Sequence, residues 1–273
     1  LSTVGFPLDY QNMTSLNHPY YQEYLSKDEE SAKIFSKEEP FTLYQTFIQK
    51  DLGKTLERIA NNGWQEFYTG KTADMIEACM LRTDGLITKK DLQNYHAVER
   101  NPISFNYRDY EVHSMPPASS GGITIAGILN QLENIDLDSL DYHSAQHIHF
   151  VAEAERRVYA DRAEFMGDMD FVPVPIDRLI SDQYAQVRWN SVDSIIASKS
   201  DYVSHGDIPF NYKESEETTH YSVVDQWGNA VSVTTTINGW FGNGIVVDGA
   251  GFLLNNEMDD FSAKPGVPNA YGL

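Results

Sequence analysis

The segment EETTHYSVVDQWGNAVSVTTTIN, residues 216–238, constrains the fold more than any other part of the chain. Two β-prone runs flank Gln226-Trp227-Gly228. A glycine closing a three-residue hairpin loop suits the left-handed residue of a bulged turn. That loop predicts pairing symmetric about Trp227, with Thr218 facing Thr236. Side chains two apart share a sheet face, so Asn238 falls on the face of Thr236. Three hydroxyl or amide side chains then converge at one end of the hairpin. A two-residue loop would shift the register by one and give Thr236 another neighbour. Threonine is also a good strand former, so an edge hairpin with a polar, solvated face accounts for the same residues. Neither reading explains why two threonines follow an acidic pair at the start of a strand.

The remainder of the chain is mostly helical in pattern. Residues 1–40 are polar, carry Pro7, Pro19 and Pro40, and read as an irregular connector. Helical patterning starts near Phe41; Leu52, Leu56 and Ile59 recur at helical spacing, and Asn61-Asn62-Gly63 is a stop. A second helix is expected over 71–82, with Ala73, Ile76, Cys79 and Met80 on one face and Gly85 as its breaker. Thr88 and Asp91 have capping-box spacing at the start of KKDLQNY. ISFNYRDYEVH, residues 103–113, alternates as a hairpin would. Helices follow over 123–133 and 143–165, and 181–215 reads as a mobile linker. Helices first and strands from residue 218 on indicate an α+β arrangement.

Charge and cysteine usage narrow the function. A net charge of −20 argues against a nucleic-acid surface, which needs clustered Lys and Arg. Cys79 is the single cysteine and cannot form an internal disulfide; within MIEACML it reads as a buried, inert thiol. No run is long enough to span a membrane. The chain opens on Leu1 and stops at PNAYGL, which reads as a piece of a longer polypeptide.

TTHYSVVDQWGNAVSVTTTIN and LLNNEMDDFSAKPGVPNAYG closely resemble the γ-glutamyltransferase (γ-glutamyltranspeptidase) family. MPPASSGG, AEAERRVYADRAEFMGD, IANNGWQEFYTGKTADMI and GLITKKDL resemble its large-subunit segments, so the likeness runs from about Asp51 to Leu273. The resemblance implies an N-terminal nucleophile hydrolase fold, an αββα sandwich of two sheets between helical layers, incomplete in this chain. It implies a precursor that cuts its own backbone between Glu217 and Thr218. Residues 1–217 would then be the C-terminal part of a large subunit and 218–273 the start of a small one. The two would stay associated as one intertwined domain. On this view Thr218 begins a strand because it is destined to be an N-terminus.

A threonine hydroxyl is a poor nucleophile until its own free α-amine, with a pKa of about 7.7–8.0, can take the proton. The implied reaction is a two-step acyl transfer. Thr218 takes the γ-glutamyl group from glutathione or a related amide, and water, an amino acid or a peptide accepts it. The resemblance gives Thr236 the role of bonding to Thr218, and Asn238 that of contacting the substrate's α-amino-acid end. Glu257 and Asp260 would hold the α-ammonium, a suitable use of paired carboxylates in a partly dry pocket. Alone, NNEMDD reads better as a solvated acidic turn; of its two aspartates Asp259 is the one assigned to structure. Tyr271, in KPGVPNAYG, would be the gating side chain of a loop over the substrate. No cofactor or metal is implied. Most bacterial relatives are periplasmic or secreted.

The family also uses an arginine nearer the N-terminus, a serine pair and a glycine-pair oxyanion hole, none of which matches here. An oxyanion-hole donor is worth about 10²–10³ in rate, so this stretch alone is expected to lack efficient activity. The alternatives are an acylase, whose members commonly carry serine where Thr218 stands, a poly-γ-glutamate transpeptidase, and a catalytically incompetent homologue or binding protein. His143, His147 and His149 read as helix-surface residues, ASSGG as a helix start with a serine cap, and Asp168 and Asp170 as turn chemistry.

Overall fold

The computed structural model describes residues 1–208, 219–261, 264 and 267. In chain order, β1 (Phe6–Pro7) leads into α1 (Tyr10–Asn17), α2 (Pro19–Leu25) and α3 (Glu29–Phe35). β2 (Thr46–Phe47) precedes α4 (Lys50–Asn62), α5 (Gln65–Tyr68), α6 (Lys71–Thr83) and α7 (Lys89–Asn94). The hairpin β3 (Ile103–Tyr107) and β4 (Tyr110–Ser114) is followed by α8 (Gly121–Leu132), α9 (Ala145–Phe165), α10 (Ile176–Leu179) and α11 (Asp182–Trp189). β5 (Thr219–Val224) and β6 (Ala230–Thr235) make a second hairpin. Contacts divide the chain into two compact units, Leu1–Ala97 with Glu216–Leu273, and Val98–Ser215.

In the first unit the N-terminal forty residues carry three short helices, α1 to α3, against the expectation of an irregular connector. Asp9 and Asp28 cap α1 and α3 by accepting from Asn12 N and Ser31 N. Pro19 occupies the first turn of α2, where its missing N–H costs nothing, so it starts a helix rather than breaking one. Leu8, Leu16, Leu25, Phe35, Phe41, Phe47 and Val246 form one core cluster. Phe41 lies ahead of α4, not inside it, and the helix starts at Lys50. Gly63 ends α4 with φ +77°, as its position predicted. Ile76, Cys79, Met80, Val247 and Ala250 form a second cluster, with Cys79 fully buried. Thr88 and Asp91 make both bonds of the capping box.

Val246 and Val247 enter different clusters because adjacent residues of an extended segment point to opposite sides. Polar bonds secure the backbone around them. Ser31 Oγ donates to Gly244 O at 2.6 Å and accepts from Val246 N at 2.9 Å. Tyr24 OH donates to Gly242 O, and Thr55 Oγ1 to Ala250 O at 2.8 Å. Arg82 donates to Asp28 at 2.6 Å, to Asp248 at 2.8 Å and to Val246 O at 3.4 Å. Burial alone would raise the Asp28 carboxyl, but its bonds to Arg82 and Ser31 hold it below the usual range. Gly251 has φ +76°, and a Cβ there would meet Leu52 N at 2.4 Å, so the segment lies directly on α4.

In the second unit β3 and β4 pair from Ile103↔Ser114 to Tyr107↔Tyr110 around Arg108-Asp109, as the alternation predicted. Ile103, Phe105, Ile123, Ala126, Phe165, Met166, Leu179 and Tyr184 form its core. The reading of 181–215 as a mobile linker is corrected over its described part. α11 buries Tyr184, Ala185 and Arg188. Glu153 on α9 accepts from Ser198 N and Oγ, and Asp161 accepts from Gly206 N at 2.7 Å and pairs with Arg188 at 3.1 Å. Charged residues at buried positions hid the helical pattern there. Residues 209–215 lie outside the described residues.

The fold is α+β, as expected. Among the described residues the strands make three separate two-stranded antiparallel sheets, so they hold no complete two-sheet sandwich. Among them no helix is long and apolar enough to cross a membrane.

Candidate active site

β5 and β6 pair from Thr219↔Thr235 to Val224↔Ala230, a register symmetric about Trp227. The loop has the predicted form. Asp225 N donates to Asn229 O, Gly228 N donates to Asp225 O, and Gly228 has φ +85°. The Asp225 carboxylate stiffens it by accepting from Trp227 N, Asn229 N and Asn229 Nδ2. These bonds, the Asn229 side-chain bond foremost, hold Asp225 below the usual carboxylate range. Thr218, the expected nucleophile, lies outside the described residues, as do Glu217 and Tyr271.

Beyond Thr235 the strand ends and the chain turns. Asn238 is buried and has φ +65°. The alternation argument for a shared face therefore does not reach it. Thr236 and Asn238 are joined instead by a turn, in which Asn238 N donates to Thr236 Oγ1 at 2.8 Å. Asn238 Nδ2 donates to Asp260 Oδ1 at 2.8 Å and to Asn256 O at 3.1 Å. Thr236, Asn238 and Asp260 thus form one hydrogen-bonded series.

Asp260 ends a 3₁₀ turn, Glu257–Asp260. Burial, and then the Asp260 charge, push the Glu257 carboxyl above its ordinary pKa. Two carboxyls so placed are electrostatically suited to a cation. The turn separates the neighbours that sequence left ambiguous: Asp260 meets Asn238, whereas Asp259 accepts from Asn256 Nδ2 at 2.8 Å.

Sequence reading missed Asn256. It precedes the acidic turn at the N-cap position, where asparagine is preferred, and that was the available signal. It also missed Ser31 and Arg82, whose bonds reach segments more than 160 residues away and leave no local pattern.

Elsewhere, the His143 and His147 rings lie 6.2 Å apart, and His149 Nε2 meets Asp193 O at 2.8 Å. Among the described residues no three His, Cys, Asp or Glu side chains are grouped to hold a metal. Asp170 N donates to Asp168, which is turn chemistry. At the start of α8 the amide of Gly121 meets Ser119 Oγ at 3.3 Å, while Ser120 Oγ accepts from Arg162.

A family model described as Gamma-glutamyltranspeptidase matches residues 1–273. The chain is 52% identical over 256 residues to the glutathione hydrolase proenzyme of Escherichia coli (strain K12), covering 93% of this chain and 44% of that protein. It is 37% identical over 236 residues to an acylase ACY 1 proenzyme of Pseudomonas sp. (strain V22), covering 86% and 41%. The crystal structure of Helicobacter pylori gamma-glutamyltranspeptidase matches with a TM-score of 0.70 at 38% identity, over 76% of this chain and 59% of that one. The chain thus spans less than half the length of these curated relatives.

Proposed function

The chain belongs to the gamma-glutamyltranspeptidase family, and from that premise we propose that the protein is a self-cleaving threonine γ-glutamyl acyltransferase and hydrolase acting on glutathione and γ-glutamyl amides. The observation that carries the reading is the hydrogen-bonded series Thr236–Asn238–Asp260 at the open end of the β5–β6 hairpin. If the register of β5 and β6 ran one step further, Thr218 would pair with Thr236 and the nucleophile would stand beside that series.

Maturation and turnover use the same hydroxyl. Thr218 Oγ attacks the Glu217 carbonyl carbon, and the peptide C–N bond breaks as an ester forms. Water hydrolyses the ester, leaving a Glu217 carboxylate and a free Thr218 α-amine. That amine then takes the hydroxyl proton as Oγ attacks the γ-glutamyl carbonyl, and returns it to the departing amine. Water, an amino acid or a peptide opens the acyl-enzyme. Thr236 orients Thr218, Asn238 contacts the donor's α-amino-acid end, and Glu257 with Asp260 holds its ammonium. Tyr271 closes over the donor. No cofactor takes part.

The cut would divide the chain into 1–217 and 218–273. Both sides contribute to each of two clusters: Val246 packs with Leu8 and Phe35, and Val247 with Ile76. That supports association after cleavage. The higher identity to a glutathione hydrolase than to an acylase, with threonine at 218, favours γ-glutamyl donors. The family resemblance supports a periplasmic or secreted location, which cell fractionation tests. A γ-glutamyl anilide assay tests the activity. Release of the anilide by the complete protein, stimulated by an acceptor dipeptide, is the expected result; no release from self-cleaved protein would overturn the reading.

A further inference from the structure

We propose that Asn256 is a positioning residue whose single carboxamide sets the spacing between the turn carrying Asn238 and the turn carrying Glu257 and Asp260. The proposal rests on the reading of those three as donor-binding groups. Asn256 Oδ1 accepts from Gly239 N at 2.8 Å, and its Nδ2 donates to Asp259 Oδ2 at 2.8 Å. Its main chain repeats the tie: Asn256 N donates to Ile237 O at 3.1 Å, and Asn256 O accepts from Asn238 Nδ2 at 3.1 Å. Asn256 therefore bonds to each residue from Ile237 to Gly239 and, three residues onward, to Asp259.

The chemistry requires an amide. One end accepts from a backbone N–H and the other donates to a carboxylate, which a carboxamide does through two atoms on one planar group. Gln is a methylene too long for the turn. Asp would keep the acceptor for Gly239 but set a second negative charge against Asp259. Ala would lose both bonds. The approach is close: a Cβ on Gly239 would meet Asn256 Oδ1 at 3.3 Å. Asp259, by this account, does not bind the donor; it anchors the residue that places Asp260. A shift of this spacing moves Asp260 relative to Asn238, so it falls first on donor binding.

The test compares wild-type, N256D, D259N and the N256D/D259N exchange in the complete polypeptide after self-cleavage. KM and kcat are read with a γ-glutamyl anilide. N256D should raise KM about tenfold, the scale of one charge-assisted bond lost to repulsion, with kcat within about twofold. The exchange variant restores a donor at 259 facing an acceptor at 256, and should bring KM back to within about threefold of wild-type. A general packing role for Asn256 would not produce this rescue. N256D with the KM of wild-type, or an exchange variant no better than N256D, overturns the proposal alone. Wild-type protein without γ-glutamyl turnover overturns the functional reading, and the proposal with it.

Discussion

At the scale of single residues, the proposed duties are separable. Thr218→Ala removes the hydroxyl that both steps need, so intact mass should show no cleavage and the anilide assay no turnover. Thr218→Ser keeps a hydroxyl and should retain part of the cleavage. Asp260→Ala should leave self-cleavage intact and raise KM about ten- to a hundredfold, from a charge-assisted bond worth about 1.5–3 kcal/mol. Failed cleavage with unchanged donor binding would instead make Asp260 structural. Glu257 gives a pH signature. Burial and the Asp260 charge raise its pKa in the fold, so the folded state binds the extra proton over the window above the ordinary carboxylate value. Stability is therefore lost as pH rises through that window. Glu257→Gln removes the charge and should raise the melting temperature at pH 7, with the gain vanishing below the ordinary glutamate pKa of about 4.3. The same substitution should weaken donor binding, a trade expected where a site is held under electrostatic strain. An unchanged melting temperature at pH 7 would contradict it.

At the scale of elements, the backbone around Val246 is the support that matters. Ser31→Ala strips Val246 N–H and Gly244 O of their shared partner inside the fold. Burial without a partner should destabilise the protein by about 1–3 kcal/mol, measured by denaturant unfolding of the complete polypeptide. What was legible in the sequence at this scale follows from how local each signal is. The register about Trp227 was legible because Gly228 and two β-prone runs determine it within a dozen residues. The Thr88–Asp91 box and the Gly63 stop were legible for the same reason. α1 to α3 were not, because a proline breaks or starts a helix with the same local sequence, and the caps at Asp9 and Asp28 are single polar residues in a polar stretch. α11 was not, because Arg188 occupies a buried position that an apolar periodicity search leaves out. At the site, pairing ends at Thr235, so the alternation expected to put Asn238 on the face of Thr236 fails at its left-handed turn, while Asp260 was reached through family likeness. Only coordinates give the left-handed turn at Asn238 that joins them.

At the scale of the molecule, the segments flanking the proposed cut are bound to each other before any cut is made. Residues before 98 and after 218 share two apolar clusters, the Ser31 bonds and the Arg82–Asp248 ion pair. Cleavage should therefore yield two polypeptides that co-elute in gel filtration, and Arg82→Met should weaken that association under mild denaturant. Arg82 itself is held charged by its bonds to Asp28 and Asp248, so the link persists to high pH. Asp28 sits below its ordinary range, so its contribution is present above the unfolded carboxylate pKa and is lost as pH falls through its lowered one. The central claim is that one threonine is both the site of its own release and the nucleophile. Intact mass spectrometry of the complete, folded protein tests it most directly. The account predicts two polypeptides, the smaller beginning Thr218-Thr219-His220-Tyr221; a single uncut polypeptide after prolonged incubation, or a cut at any other bond, would contradict it.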